Sequence, residues 1–376
     1  MKVLHVIDKS FIGGGQAIVR DLVEGLGSLG LELRVACRPG GPLVAAVERL
    51  GVTVHSIPFD KRFRPGPALA IARLVAAHQI DLVHGHGLVA TSYAALARAT
   101  TGMRAALLYH QHGFHHHNYG RLTQGLRKSA ERWVVRTVDV TVASNMADRD
   151  VLERERYAPG ARLVVLPNGI PELASSDDDH AAVRAAIRDD GRPVVGLVGR
   201  LHRQKAVDVF LRAAVGVIAA HPAARVVVVG EGPLAGELSA MADTLSLRAP
   251  SFTFAGALPG RACAPRFDVA VLCSRWEGLP ITLLEYMAAR RPIVSTALSP
   301  CEEVLGADAA EMVPVDDPAA LAAAINRLLA DPVLAERRAA AARLRYEKHF
   351  TLSAVARRYR DLYEHIVERS SGRVRG

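Results

Sequence analysis

Short apolar runs alternate with longer amphipathic stretches along the whole chain. A run such as Lys2–Asp8 has the length of a buried strand, and the stretch 16–29 that follows has the apolar spacing of a helix. Strands separated by helices of about 10–20 residues are typical of βαβ units that share a parallel sheet. We predict the strands of this first series at 2–8, 33–37, 52–57, 81–84, 105–110, 138–143 and 162–166.

A second alternating series begins after the stretch 168–193, where turn residues and an acidic run interrupt the pattern. The Ala-rich stretch 318–368 then predicts three helices, with breaks near 331–332 and 350–351. We therefore expect two doubly wound α/β domains, with the ligand bound at the carboxyl ends of the strands that face the cleft. We predict the strands of the second series at 193–198, 225–229, 251–254, 267–272 and 292–295.

The composition is that of a folded globular chain. Half of the 376 residues are hydrophobic and 23% are charged, which excludes a disordered chain. No apolar stretch reaches the ~20 residues that span a bilayer, and the opening run is too short for a signal peptide. The four cysteines lack CxxC spacing, so we expect reduced core thiols in a cytoplasmic protein.

The net charge of +9 is concentrated in the first part of the chain. Residues 1–168 contain 21 Lys and Arg against 13 Asp and Glu, together with ten of the 15 histidines. A basic half of this kind attracts nucleic acid, anionic lipid or a phosphorylated substrate, and a solubilising Arg-rich surface explains it equally well. Because aromatic residues make up only 5% of the chain, we expect no nucleic-acid partner.

Two segments that follow predicted strands are suited to phosphate. Gly14 and Gly15 lie between the first strand and its helix, where backbone N–H groups approach an anion closely. In the second series, Gly199 is followed by Arg200 and, at the start of the next helix, by Lys205, and two such cations suit a diphosphate. Taken alone, either segment is equally explained by a flexible loop or by solvated basic residues.

The apolar stretch WEGLPITLLE contains two glutamates. Pro280 favours a helix start, so Glu277 belongs to the loop before a helix at 281–289 and Glu285 to its second turn. Backbone amides around residues 278–280 add further donors for an anion. Neither glutamate has the Asp or His companions of a divalent site, so we predict no metal and assign both carboxylates to hydroxyl groups.

This ordered set of residues resembles the retaining glycosyltransferases of family four, which have the GT-B fold. The resemblance rests on E-x7-E at 277–285, on Gly199-Arg200 with Lys205, on the early Gly-Gly pair and on His112-Gly113. It extends through DLVHGHG, LPNG and VARRYRDLYEHI, and so covers essentially the whole chain.

The resemblance implies two Rossmann-like domains that face a cleft. Residues 1–170 are expected to form the N-terminal, acceptor-side domain, and 171–192 a linker. Residues 193–350 are expected to form the C-terminal domain that binds the nucleotide sugar. A C-terminal helix at 351–376 is expected to pack back on the N-terminal domain.

The roles of single residues follow from the same resemblance. Arg200 and Lys205 are expected to bind the donor's diphosphate. Glu277 is expected to hold hydroxyls of the donor sugar, and Glu285 those of the ribose. His112 is expected near the anomeric centre. The other substrate-binding positions are Gly14 and Gly15 at the phosphates, Gly199, Gly278, Leu279 and Pro280 at the diphosphate loops, and Leu258 at the base.

The activity that the resemblance implies is that of a metal-independent, hexosyltransferase-type glycosyltransferase without a cofactor. Its donor is a nucleoside-diphosphate sugar, and its acceptor is a glycolipid, a polysaccharide or a small molecule. Ala206 departs from the glycine that usually follows the lysine in this family, which can shift the helix start. Two alternatives stay open: a same-fold sugar-nucleotide epimerase or hydrolase, and a non-catalytic protein that binds a nucleotide sugar or nucleic acid.

Five histidines are concentrated at 109–121. Histidines at successive loop positions cannot all face one ion, so we predict no metal site there. We assign His112 to the active site and His115–His117 to the acceptor-side loop. His84 and His86, at the end of a predicted strand, are expected in the core or lining the cleft.

The segment 119–136 predicts an amphipathic helix. Leu122, Leu126 and Trp133 fall within an arc of about 60°, with four basic residues mainly on the other faces. Packing on the protein's own sheet explains this pattern, and so does a helix on an anionic membrane surface. The second interpretation predicts a cytoplasmic enzyme held peripherally on the inner face of the membrane.

Overall fold

A computed structural model describes residues 1–11, 14–59, 64–113, 121–155, 157, 162–173, 177–187 and 190–372. The chain divides into two compact units. The first consists of Met1–Gly169 with Leu352–Gly376, and the second of Ile170–Thr351. Each unit contains one parallel β-sheet, as expected for two doubly wound α/β domains.

The first unit has a seven-stranded sheet in the order β3-β2-β1-β4-β5-β6-β7. The strands are β1 (Lys2–Ile7), β2 (Glu32–Cys37), β3 (Thr53–Ser56), β4 (Leu82–His86), β5 (Ala106–Gln111), β6 (Val140–Ala143) and β7 (Leu163–Val165). The helices are α1 (Gly14–Gly27), α2 (Pro42–Glu48), α3 (Gly66–His78), α4 (Gly87–Thr101), α5 (Arg121–Thr137), α6 (Met146–Arg154) and, at the far end of the chain, α15 (Leu352–Gly372).

The second unit has a six-stranded sheet in the order β10-β9-β8-β11-β12-β13. The strands are β8 (Val194–Val198), β9 (Arg225–Val229), β10 (Phe252–Phe254), β11 (Val269–Leu272), β12 (Ile293–Thr296) and β13 (Glu311–Val313). The helices are α7 (Asp177–Ala186), α8 (Val207–Ala220), α9 (Ala235–Thr244), α10 (Gly260–Cys263), α11 (Ile281–Ala288), α12 (Ser299–Leu305), α13 (Pro318–Ala330) and α14 (Pro332–His349).

The last helix returns to the first unit, as expected from the resemblance. α15 packs along α1 and buries Val355, Ala356 and Tyr359 in the core of that unit. Gly25 of α1 permits this approach, because a Cβ there would lie only 2.9 Å from the Cβ of Ala356. The three helices predicted for the end of the chain are confirmed as α13, α14 and α15.

Three local features differ from the sequence-based expectations. The stretch 171–192, expected as a linker, lies within the second unit. Val183 and Ile187, four residues apart in sequence, are buried in the hydrophobic core of that unit, although turn and acidic residues surround them in the sequence. β13 was not expected, because three residues are too short for a clear alternating pattern. β4 continues two residues beyond the predicted end, and His86 pairs with both neighbouring strands.

Two further properties concern the described helices and the cysteines. No single helix within the described ranges is long and apolar enough to cross a membrane. α13 and α14 together meet the length and composition but are bent by 103°. All four cysteines are buried and free of disulfides, and burial raises the pKa of both Cys273 and Cys301 to about 12. Such thiols are poor nucleophiles at neutral pH.

Candidate active site

The predicted site residues of the second unit follow the carboxyl ends of its parallel strands. Gly199 follows β8, Leu258 follows β10, and Glu277 lies in the loop between β11 and α11. β8 pairs with β11, so the segments after these two strands are neighbours at one edge of the sheet. The fold thereby brings Lys205 and Glu277, which are 72 residues apart in sequence, into direct contact.

Lys205 and Glu277 form an ion pair. The Lys205 Nζ lies 2.5 Å from Oε1 of Glu277, and the side chains are 17% and 6% exposed. Ser274 Oγ donates to the same oxygen at 2.6 Å, and Gln204 Nε2 lies 3.4 Å from the other oxygen. The carboxylate predicted to hold sugar hydroxyls is therefore fixed by a cation that was predicted to bind phosphate.

The loop from Gly199 to Lys205 is held against the strand edge by close backbone contacts. Gly230, with φ +137°, packs on it so tightly that a Cβ would lie 2.0 Å from the carbonyl oxygen of Gly199. Lys205 ends a 3-10 turn rather than beginning the helix, and α8 starts at Val207. The expected helix start at Lys205 is therefore wrong by two residues.

Ala206 separates the 3-10 turn from α8. It adopts φ +49° and ψ +40°, a left-handed conformation that favours glycine. In the family that the chain resembles, glycine usually occupies this position and adopts this conformation without strain. Alanine adopts it at a cost of about 1–2 kcal/mol.

Arg200 remains available to a ligand. Its side chain is exposed and makes no hydrogen bond or ion pair with any other described residue. Lys205, by contrast, already has a carboxylate partner. The guanidinium of Arg200, with five N–H donors in a planar fork, is thus an unpaired cation at this edge and suits a phosphate oxygen pair.

Glu285 lies in the second turn of α11, as predicted, but its partner was not predicted. Its Oε1 lies 3.6 Å from Nε of Arg261, which belongs to α10. A Cβ on Gly260 would lie 2.5 Å from Oε2, so the carboxylate packs over the start of α10. The next residue, Tyr286, anchors α11 because its hydroxyl accepts from the backbone N–H of Val198 at 2.9 Å.

The remaining predicted positions of this unit lie in the loops that follow β10 and β11. Leu258 is partly buried against the core, and Leu279 and Pro280 are buried. Gly278 is half-buried beside Glu277. Pro280 is the residue that caps α11, in agreement with a helix that begins there.

In the first unit, His112 and the two glycines follow strands that end at one edge of the sheet. His112 comes directly after β5, is half-buried, and its Nε2 lies 3.2 Å from Nδ1 of His86. Gly14 and Gly15 open α1, and a Cβ at either position would meet nothing within 4 Å. The loop histidines His115–His117 lie outside the described residues.

Sequence reasoning missed several residues that complete these arrangements. Ser274 and Gln204 carry a weak signal, since they lie at a strand end and beside a predicted site residue. Arg261 carries none, because its contact with Glu285 depends on how α10 and α11 pack. His5 was likewise missed, and in the structure its ring contacts those of His84 and His86.

The buried histidines of the first unit could in principle hold an ion. In each of two triplets, His5 with His84 and His86, and His86 with His110 and His112, the ligand atoms lie within 4.8 Å of one another. The rings of His84 and His86 are stacked at 4.0 Å, whereas ligands of one ion converge on it from different directions. Hydrogen bonds between rings also use the lone pairs that an ion needs.

The amphipathic helix α5 is the remaining predicted feature. Leu126 and Trp133, seven residues apart on one face, are 74% and 42% exposed, whereas Val134 and Val135 are fully buried. The valines therefore attach α5 to the core. The face with Leu126 and Trp133, which the first interpretation placed against the sheet, is exposed.

Sequence comparison assigns both parts of the chain. The profile described as Glycosyltransferase Family 4 matches residues 12–172, and that described as Glycosyl transferases group 1 matches residues 192–331. The chain is 30% identical to a glycogen synthase of Mycobacterium tuberculosis over 325 residues, which are 83% of this chain and 71% of that protein. It is 29% identical to an alpha-D-kanosaminyltransferase of Streptomyces kanamyceticus over 260 residues, 66% of each chain.

The structural comparison agrees in fold. The chain superposes with a TM-score of 0.83 on Alr3699/HepE of Anabaena, solved in complex with UDP and glucose. The match covers 97% of this chain and 100% of the other at 18% identity. The chain therefore belongs to the group 1 and family 4 glycosyltransferases, and its two parallel-sheet units have the GT-B architecture.

Proposed function

We propose that this chain is a retaining, hexosyltransferase-type glycosyltransferase that transfers a sugar from a nucleoside-diphosphate sugar to a glycolipid, polysaccharide or small-molecule acceptor. One observation carries the proposal. The unpaired Arg200 and the Lys205–Glu277 ion pair follow the adjacent strands β8 and β11 at one edge of the second sheet. Cations for a diphosphate thus lie in the loop next to the one that contains a carboxylate for the sugar.

The two cations suit the charge that the reaction creates. When the bond between the anomeric carbon and the phosphate oxygen breaks, negative charge develops on the departing nucleoside diphosphate and positive charge on the sugar ring. Arg200 offers a planar fork of donors to the diphosphate. Lys205 has three N–H donors, so its contact with Glu277 leaves donors for phosphate. Preorganised cations of this kind lower the barrier.

The two glutamates divide the sugars between them. Glu277 has a lone pair free on the oxygen that Gln204 contacts only at 3.4 Å, so it can accept from a sugar hydroxyl and favour the positively charged ring. Glu285, held by Arg261 over the start of α10, takes the ribose. The backbone near Leu258 takes the base. We extend the proposal to the first unit, where His112 contacts the donor sugar and Gly14 and Gly15 the phosphates.

Retention and metal independence are part of the proposal. The departing charge is neutralised by Arg200 and Lys205, so the transfer requires no divalent ion and no other cofactor. The acceptor attacks from the face that the leaving group departs, which retains the configuration without a covalent intermediate. Glu277, already bound by Lys205 and Ser274, acts on charge and orientation rather than as a nucleophile.

We also propose that the first unit associates weakly with an anionic membrane through α5, which places the enzyme on the inner face. Leu126 and Trp133 offer an exposed apolar face, and Arg136 beside them is exposed as well. Residues 1–168 contribute an excess of eight positive charges. Each basic residue near such a surface contributes about 1 kcal/mol, enough for reversible binding.

Transfer is tested with a panel of nucleoside-diphosphate sugars and acceptors, beginning with UDP-glucose because the similar HepE was solved with UDP and glucose. The expected product is an acceptor heavier by one sugar, formed equally in EDTA. Its anomeric proton coupling should show the configuration of the donor. Hydrolysis or epimerisation of the donor without a glycosylated acceptor would favour the alternative enzymes, and inversion would refute retention.

Membrane association is tested by co-sedimentation with vesicles. Binding to phosphatidylglycerol vesicles should weaken with salt and drop in the Leu126→Asn/Trp133→Asn variant. Leu69→Asn, which changes a 43% exposed leucine on α3, is the matched control and should bind normally. Equal binding to neutral phosphatidylcholine vesicles would contradict the proposal, and so would the absence of binding to anionic ones.

A further inference from the structure

Arg275 lies in the loop after β11, two residues before Glu277, and its side chain joins three segments of the second unit. Its Nη1 and Nη2 donate to Oδ1 and Oδ2 of Asp208, in the first turn of α8, at 3.0 and 2.7 Å. Its Nε donates to Oδ1 of Asp316, which follows β13, at 2.7 Å. A second bond from Nη1 reaches the carbonyl oxygen of Arg203 at 2.9 Å. The segments after β8, β11 and β13 thus meet at one guanidinium.

The donors of this guanidinium are almost all used within the protein. The four hydrogen bonds occupy four of its five N–H groups. The side chain is 19% exposed, and the two parallel bonds to Asp208 fix its orientation. Arg275 is therefore suited to holding other residues in place, whereas Arg200 is suited to a ligand.

The contacts of Arg275 with Arg203 and Asp208 lie on either side of Lys205. Arg203 comes two residues before Lys205, and Asp208 comes three residues after it. Between Lys205 and Asp208 stands Ala206 with its left-handed backbone. A strained position of this kind persists only where the surrounding contacts fix it. Arg275 supplies such contacts before and after the strained residue.

Main-chain groups join the same two loops. The backbone N–H of Arg275 donates to the carbonyl oxygen of Gln204 at 2.8 Å, and Nε2 of Gln204 donates to the carbonyl oxygen of Trp276 at 2.9 Å. These bonds hold the two loops side by side at Gln204. The side chain of Arg275 extends the contact past Ala206 and into α8, at Asp208.

We propose that Arg275 is a positioning residue that fixes the stretch 203–208, so that the ammonium of Lys205 stays on the carboxylate of Glu277. Arg275 itself binds neither the sugar nor the phosphates. It acts through Lys205, which it holds where negative charge develops on the leaving group. This effect on transfer rests on the proposed function, but the effect on the Lys205–Glu277 pair does not.

The ion pair is measured by proton–nitrogen NMR of the lysine ammonium groups of the full chain. An ammonium held in an ion pair exchanges its protons with water slowly and gives a signal, whereas a solvated ammonium exchanges too fast. We expect a signal of Lys205 in wild type, assigned by its loss in Lys205→Met. The signal should vanish in Arg275→Met. It should weaken in Arg275→Lys, which keeps the charge but cannot fork onto Asp208. Absence of the signal in wild type, or an unchanged signal in either folded Arg275 variant, would overturn the proposal.

Arg338→Met is the matched control. The side chain of Arg338 is also 19% exposed, and it pairs with the carboxylate of Glu311 at 2.9 Å and donates to the carbonyl oxygen of Asp308 at 3.0 Å. Glu311 begins β13, so this contact lies at the amino end of the strands, away from Lys205. The variant should leave the Lys205 signal in place. Loss of the signal here as well would mean that it reports general destabilisation, and would overturn the proposal.

The transfer assay provides the second measurement. Arg275→Met should lower kcat by about 10-fold to 100-fold and change KM for the donor less, because a displaced cation costs most in the transition state. Arg338→Met should react as wild type does. A loss confined to KM would contradict a positioning role. A wild-type chain without transfer activity would refute the proposed function, and the NMR result for Lys205 would still decide the role of Arg275.

Discussion

The Nζ of Lys205 lies 2.5 Å from Oε1 of Glu277, across two loops that follow adjacent strands of the second sheet. This contact joins the group proposed for the leaving phosphate to the group proposed for the sugar. Removing either partner therefore changes both stability and catalysis.

The first prediction concerns stability. Lys205→Met should destabilise the second unit by about 2–3 kcal/mol, because it leaves the nearly buried carboxylate of Glu277 without its cation. Adding Glu277→Gln should restore part of the loss, since the amide carries no charge. Urea unfolding followed by Trp276 fluorescence, in a Trp133→Phe background, measures both variants. Additive losses in the double variant would contradict the coupling.

The second prediction separates the two glutamates. Glu285→Gln should weaken the calorimetric affinity for the free nucleoside diphosphate, because Glu285 is assigned to the ribose. Glu277→Gln should largely spare that affinity and lower kcat with the complete donor. The opposite pattern would mean that the two roles are exchanged.

The third prediction concerns the left-handed alanine. Ala206→Gly relieves backbone strain but frees the unfolded chain and removes a buried methyl group, so the unfolding free energy should change by less than about 1 kcal/mol. Ala214→Gly, in the buried interior of α8, is the control and should cost about 1 kcal/mol or more. A similar loss in both variants would show that the conformation of Ala206 carries no strain.

The fourth prediction is a loss of stability in acid. Burial lowers the pKa of His5 to about 3 and the pKa values of His84, His86 and His110 well below their usual range. Below pH 6.5 these histidines are protonated in the unfolded chain but stay neutral in the folded unit. Each such histidine therefore lowers the free energy of unfolding by up to about 1.4 kcal/mol for every pH unit below 6.5. This loss is absent only above pH 6.5.

His84→Phe should make this pH dependence shallower between pH 6.5 and 5. The matched control is His365→Gln, which changes an exposed histidine on α15 and should leave the slope as it is. Unfolding followed by Trp133 fluorescence, in a Trp276→Phe background, reports on the first unit. Equal slopes in wild type and His84→Phe would show that His84 is charged or accessible in the fold.

Much of the architecture was predictable because periodicity is a local property. Buried parallel strands such as β9 are nearly continuous apolar runs, and the breaks before Pro332 and after Phe350 are local stop signals. The place of Glu277 in a loop and Glu285 in the second turn of a helix followed in the same way from Pro280.

What could not be predicted depends on contacts between distant segments. The ion pair of Lys205 with Glu277 requires β8 to lie beside β11, and the contact of Arg261 with Glu285 requires α10 to pack by α11. The contacts among the buried histidines of the first unit likewise depend on the register of β1, β4 and β5. His5 showed no signal in the sequence, because a single histidine in an apolar strand predicts no partner.

The affinity for free nucleoside diphosphates tests the proposed site most directly. Calorimetric titration with UDP, GDP, ADP and dTDP should show binding of at least one. Arg200→Ala should weaken that binding by about 10-fold to 150-fold, because it removes a charge-assisted contact worth about 1.5–3 kcal/mol. Arg212→Ala, an exposed arginine on α8, should bind as wild type does. Failure to bind any of the four, or equal affinity in Arg200→Ala and wild type, would contradict the site.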